Sequence, residues 1–212
     1  MSFGETKAAL LIIDVQNDFC EAGSLPVPEG STIIPAINSL RRSPYIDYFI
    51  FSRDYHPPTH CSFISMHPDH KVFDQVVIPE TGQTQVLWPV HCVAGERGSA
   101  LHADLVVKER DHIVKKGTIP HIESYSAFGN NGETTNLKKL LADLKVDTVY
   151  VAGLAYDYCV RYTAEDAAKH GIRTFVVRDG SKAVSQAGKV AADKSFAALG
   201  IEKITVAELL EE

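Results

Sequence analysis

Apolar residues in this chain arrive in unbroken runs, and no other feature restricts its fold so strongly. Ala8 to Ile13, Tyr48 to Ser52, Thr148 to Ala152, Arg173 to Val177 and Glu202 to Val206 read as strands rich in branched side chains, and His112 to Lys115 as a weaker sixth. A strand with water on one face alternates apolar and polar residues. A continuous run expects cover on both faces, as in a parallel sheet. Parallel neighbours need long crossovers, and helical patterns lie in the intervals. Leu137, Leu140, Leu141 and Leu144 repeat at i, i+3, i+4, i+7 behind Thr135 or Asn136 as the cap. Val160, Thr163, Ala164, Ala167 and Ala168 form a stripe small enough for close packing on a sheet; Gly171 ends it, and Glu165 can pair with Lys169 on its outer face. Thr205 and Glu208 make a capping box for a short terminal helix. The expected fold is therefore α/β: a doubly wound, mainly parallel six-stranded sheet with helices on both faces.

The 212 residues suit one domain over 1–212 with a long insertion at about 53–110, where periodicity fades and Pro, Gly and His accumulate. So long a loop is functional or disordered, and Trp88 with its apolar neighbours argues for order. A net charge of −6 argues against nucleic acid and anionic membrane as partners. No run reaches the length of a transmembrane helix. The stretch Met1 to Lys7 lacks the regions of a signal peptide, and Glu-Leu-Leu-Glu-Glu at the other end is no retention tag. Cys20, Cys61, Cys92 and Cys159 form no CxxC pair, which expects a reduced, cytoplasmic protein. Composition leaves the oligomeric state open.

In open α/β sheets, ligands bind beyond the carboxyl ends of strands. Asp14 closes the first run, Asp54 follows the second, and Cys159 follows the third strongly apolar run where a helix begins. A thiol in the first turn of a helix is expected to ionise more readily, although a cysteine there also serves as a small buried hydrophobe. Asp14 could equally cap a turn. Lys115 and Lys116 end the weaker strand; they face opposite ways, so only one can meet Cys159 and stabilise its thiolate. Asp54 and His56 share one side of an extended segment, and His91 follows in "WPVHCV"; carboxylate and imidazole suit zinc, iron or manganese. His60 and Cys61 are spare ligands. His67, His70, His102, His112, His121 and His170 read as surface residues.

The motifs "LLIIDVQNDFCEAGSL", "SRDYHPPTHCSF", "LWPVHCV", "KKG", "ESYSAF" and "GLAYDYCVRYTAEDA", in this order from Ala9 to about Val184, resemble the nicotinamidase branch of the isochorismatase-like cysteine hydrolases. The resemblance implies that family's hydrolase fold and a catalytic triad of Asp14, Lys116 and Cys159, choosing Lys116 because it precedes the glycine. It implies a divalent metal, with zinc preferred over iron or manganese, on Asp54, His56 and His91, and leaves His60 open. Phe19, Trp88 and Tyr125 fall where the family places aromatic pocket walls. A cis peptide would join Leu154 and Ala155, and the amides of Ala155 and Cys159 would form an oxyanion hole. The implied activity is hydrolysis of nicotinamide to nicotinate and ammonia through a cysteine thioester, in NAD salvage, with pyrazinamide as a further substrate. The alternative is a related cysteine amidohydrolase acting on a carbamoyl or ureido compound, whose kind generally lacks the metal set. A non-catalytic metal-binding or thiol-sensing protein on this fold is the rival from another class.

Overall fold

Each unbroken apolar run forms a strand. In a computed structural model, which describes residues 7–211, the strands are β1 (Lys7–Ile13), β2 (Tyr48–Asp54), β3 (Gln75–Ile78), β4 (Gln83–Val86), β5 (His112–Lys116), β6 (Val146–Leu154), β7 (Arg173–Lys182) and β8 (Glu202–Ile204). The helices are α1 (Ile34–Ser39), α2 (Leu137–Asp143), α3 (Arg161–Lys169) and α4 (Gln186–Ala198). Met1 to Thr6, most of the stretch read above as no leader, and Glu212 lie outside the described residues. Six strands pair in the order β5-β2-β1-β6-β7-β8, and every pairing is parallel.

Side chains of successive strand residues face opposite ways, so β1 feeds two cores. Leu10 and Ile12 pack with Ile34 and Ile37 of α1 and with Phe49, Phe51 and Val177. Ala9, Leu11 and Ile13 pack on the other face with Leu137 and Leu141 of α2, Ala164 and Ala167 of α3, and Ala192 and Phe196 of α4. The alanines of α3 let that helix lie close to the sheet. Phe196 is fully buried, and its truncation to alanine would cost about 3–5 kcal/mol.

The helix α4 carries no strong apolar stripe, because Ala192 and Phe196 alone are its buried residues; Ser185 starts it by accepting the Gly188 N–H at 2.9 Å. For α2, Thr135 Oγ1 accepts the Leu137 N–H at 3.2 Å, and Asn136 makes no capping bond from its side chain. The Thr205–Glu208 box forms, with the Thr205 N–H donating to Glu208 at 2.7 Å, but it closes turns and no further helix. Glu165 differs from expectation. It is buried between α3 and α4, bonded to Arg161 at 2.6 Å and to the Ser195 hydroxyl, and Lys169 is 4.0 Å away.

The stretch from Arg53 to Arg110 is ordered around the β3–β4 hairpin and short 3-10 turns. Trp88 stitches it together: its N–H donates to the Ser62 carbonyl and its carbonyl accepts from Ile64, each at 2.8 Å. Chain order reverses between β1 and β6, which leaves a crevice at their carboxyl ends. Asp14 follows β1 there, the turn after β6 carries Cys159, and β2 and β5 end beside it at Asp54 and Lys116.

Candidate active site

Register explains which lysine enters the crevice. Lys116 pairs with Asp54 across the sheet and is fully buried, whereas Lys115 points to the opposite face and sits over the Tyr55 ring at 3.9 Å. The Lys116 ammonium is 2.9 Å from Asp14 Oδ2, 3.0 Å from the Ser124 carbonyl and 3.5 Å from Cys159 Sγ, and it donates to Asp54 Oδ1. Sγ also lies within 4.8 Å of a carboxylate oxygen of both Asp14 and Asp54. Asp14 is held with φ +47, and its Oδ1 accepts from the Ser52 hydroxyl at 2.6 Å. Its Oδ2 has the ammonium nearby but no partner in hydrogen-bond geometry. That oxygen is held by the charge of the ammonium and keeps a lone pair for a proton.

Burial dominates the electrostatics here. It raises the Asp14 carboxyl to about 6; Lys116 opposes the rise and Asp54 adds to it. Burial also pushes the Cys159 thiol well above its usual range, more than Lys116 can offset, with Asp14 and Asp54 raising it further. This corrects the expectation of a readily ionised thiol. Cys159 lies in a five-residue π turn, Tyr156–Val160, ahead of α3, and desolvation outweighs any help from the helix end. The resting group is a thiol with a basic carboxylate beside it. Burial alone would lower the Lys116 ammonium, but Asp14 and Asp54 hold it well above its ordinary value.

Asp54, His56 and His91 are buried, and their donor atoms lie within 4.8 Å of one another. Both histidines are oriented from behind: His56 Nδ1 donates to the Gly117 carbonyl at 2.8 Å and His91 Nδ1 to the Pro89 carbonyl at 2.7 Å. His56 Nε2, buried and without a hydrogen-bond partner, is 3.7 Å from Asp54 Oδ2. An orphaned imidazole nitrogen beside a carboxylate is what a borderline divalent cation would satisfy, so these residues fit such an ion. His60 stands outside that group, although its donor atom lies within 4.8 Å of those of His56 and Glu123 in a second buried group. Its ring nitrogens are taken by Ser62 Oγ at 2.8 Å and the Ile122 carbonyl at 3.0 Å, and it stacks behind His56 at 4.0 Å. Cys61 belongs to no ligand cluster among the described residues.

A cavity of about 120 Å³ opens over these groups, smaller than the range of about 300–1,000 Å³ for drug-sized sites. Phe19, Trp88 and Tyr125 line it, as do Ala155 and Cys159, and the Leu154–Ala155 peptide is cis. Trp88 Nε1 donates to the Tyr125 hydroxyl at 3.1 Å, which fixes both rings. Sequence reasoning missed Tyr158, Glu123, Phe73, Leu25 and Val184, which also line the cavity. Tyr158, edge-on to Trp88 at 5.2 Å, could have been suspected from its place beside Cys159. Nothing local marks the others. Among the described residues no helix is long and apolar enough to cross a membrane.

The isochorismatase domain model matches residues 8–208. The chain is 38% identical to a nicotinamidase of Acinetobacter baylyi, over 96% of this chain and 95% of that one. Its fold superposes on an Acinetobacter baumanii nicotinamidase and pyrazinamidase with a TM-score of 0.90 at 36% identity, covering 98% of this chain and 100% of the other. A pyrazinamidase of Pyrococcus horikoshii in complex with zinc gives a TM-score of 0.78 at 33% identity, covering 94% and 99%.

Proposed function

Because this chain belongs to the isochorismatase domain family and its close relatives hydrolyse nicotinamide, we propose that it converts nicotinamide to nicotinate and ammonia with Cys159 as nucleophile. The observation that carries the reading is the Lys116 ammonium, buried among Asp14, Asp54 and Cys159 beneath a single-ring cavity that Asp54 and Cys159 line.

Asp14 Oδ2 takes the proton of the Cys159 thiol while Lys116 offsets the charge that develops on sulfur. Sulfur bonds to the amide carbon, and the carbonyl electron pair moves onto oxygen. The backbone amides of Ala155 and Cys159 receive that oxyanion. Collapse breaks the C–N bond, and Asp14 returns the proton to the departing ammonia. Water, deprotonated by Asp14, then attacks the thioester; nicotinate leaves and the thiol is restored. A zinc ion held by Asp54, His56 and His91 would supply a Lewis acid for the pyridine nitrogen, and iron or manganese would suit the same donors. Phe19, Trp88 and Tyr125 pack the flat ring. Pyrazinamide, nearly isosteric, is a second substrate. The activity serves NAD salvage, and four free thiols suit the reducing cytoplasm.

The test is ammonia release from nicotinamide by wild type and by Cys159→Ala. The variant should keep the melting temperature and the bound metal and lose turnover; retained amidase activity would end the mechanism. Chelation of the metal should abolish wild-type activity, and unchanged activity would favour a carbamoyl or ureido amidohydrolase.

A further inference from the structure

The cavity is graded from a buried polar floor to an exposed apolar rim. Asp54, His91, Glu123 and Cys159 are buried, whereas Phe73 is 63% and Val184 is 40% exposed, and both still line the same space. Phe73 is unusual in its backbone as well. Its φ is +74, a region a bulky side chain rarely adopts and keeps only where its surroundings hold it. They do hold it: its N–H donates to the Leu87 carbonyl at 2.7 Å, and its ring stands edge-on to Trp88 at 5.8 Å. The conformation thus brings an otherwise solvent-facing phenyl ring onto the one tryptophan of the chain, at the cavity mouth.

We propose that Phe73 is a specificity-determining residue: its ring caps the cavity and excludes aromatic amides that carry a bulky group on the ring edge remote from the amide and the ring nitrogen. The proposal rests on the nicotinamidase reading. In that reading the ring nitrogen and the carboxamide of nicotinamide both point to the buried floor. The C5 position, meta to each, then faces the rim where Phe73 stands. A substituent at C5 meets Phe73, while the unsubstituted ring is packed by it.

The experiment compares kcat and KM for nicotinamide and 5-phenylnicotinamide in wild type, Phe73→Ala and Phe73→Tyr. Loss of a contact made equally to substrate and transition state raises KM and leaves kcat nearly unchanged. Phe73→Ala should therefore raise KM for nicotinamide about tenfold and shift relative kcat/KM toward 5-phenylnicotinamide by about tenfold or more. Phe73→Tyr, which keeps the ring, should retain the wild-type preference. An unchanged preference in Phe73→Ala at an unchanged melting temperature would overturn the proposal. Should Phe73→Ala melt early, Phe73→Gly, which suits a positive φ, carries the same readouts. Failure of the activity itself is read separately, as absent ammonia from nicotinamide in wild type. In that event quenching of Trp88 fluorescence by nicotinate and by 5-phenylnicotinate still reports whether Phe73 selects between them: equal selectivity in wild type and Phe73→Ala refutes the cap.

Discussion

Gly117 offers a sharp perturbation of the metal cluster, because as glycine its carbonyl orients His56 and as alanine its side chain would strike the same ring. A Cβ at this position would lie 2.3 Å from Cε1 and 2.6 Å from Nδ1 of His56, and the backbone there has φ +62. Two penalties combine. The left-handed conformation costs an alanine about 1–2 kcal/mol. The ring cannot stay where it is, so the His56 Nδ1–Gly117 carbonyl bond is lost and a buried donor is stranded, at about 1–3 kcal/mol. Together, roughly 2–5 kcal/mol should lower the melting temperature of the metal-free protein by about 5–15 °C for a chain of this size. Loss of the bond that orients His56 should also weaken metal binding by about 10–100-fold. Gly171→Ala is the control: its φ is +77, but an added Cβ there meets nothing within 4 Å. That variant should show the backbone penalty alone, with metal affinity unchanged. The measurements are calorimetric melting of metal-free protein and competitive titration with a chromophoric chelator. If Gly117→Ala binds metal as tightly as Gly171→Ala does, the orienting role of the Gly117 carbonyl is refuted.

Other consequences follow from the same centre. Asp14 must be ionised to take the thiol proton, and its carboxyl sits near 6, so kcat/KM should climb as pH rises through about 6; a profile flat from about pH 5 to 7 excludes Asp14 as the base. Lys116→Met leaves Asp14 and Asp54 with no cation between them, so turnover should fall more than about 100-fold and the acid limb should move to higher pH, which pH-dependent ammonia release will show. His60→Ala removes the ring stacked behind His56 without removing a ligand: metal stoichiometry by elemental analysis should stay at the wild-type value while affinity drops about tenfold. Reduced stoichiometry would make His60 a ligand after all.

The sheet was legible because its cause is local. Ala8 to Ile13 contains no polar residue, so any buried strand there must be covered on both faces. By contrast α4 was illegible, since its buried face is little more than Ala192 and Phe196, and small residues produce no apolar period. The β3–β4 hairpin escaped notice for a related reason: Gln75–Ile78 and Gln83–Val86 are short and largely exposed. Glu165 does pair with Lys169 at 4.0 Å, but the packing of α4 against α3 buries its carboxylate against Ser195, which spacing along one helix does not report. At the site, Asp14, Asp54 and Cys159 could be named from their positions after apolar runs, whereas position left Lys115 and Lys116 open and only the resemblance chose Lys116. Their protonation could not be named, because burial decides it and no window of neighbouring residues reports burial.

The chain's own order of residues determined the parallel sheet, the groups gathered at its carboxyl edge and the kinship of its motifs, all of which depend on residue type and spacing along one strand or turn. Only tertiary packing decided that a single ammonium joins two carboxylates and a thiol, that His60 stacks on His56 outside the Asp54, His56 and His91 group, and that Phe73 overhangs the cavity. Those relations span tens of residues and are set to fractions of an ångström by how crossovers seat on the sheet, a quantity that local pattern does not encode.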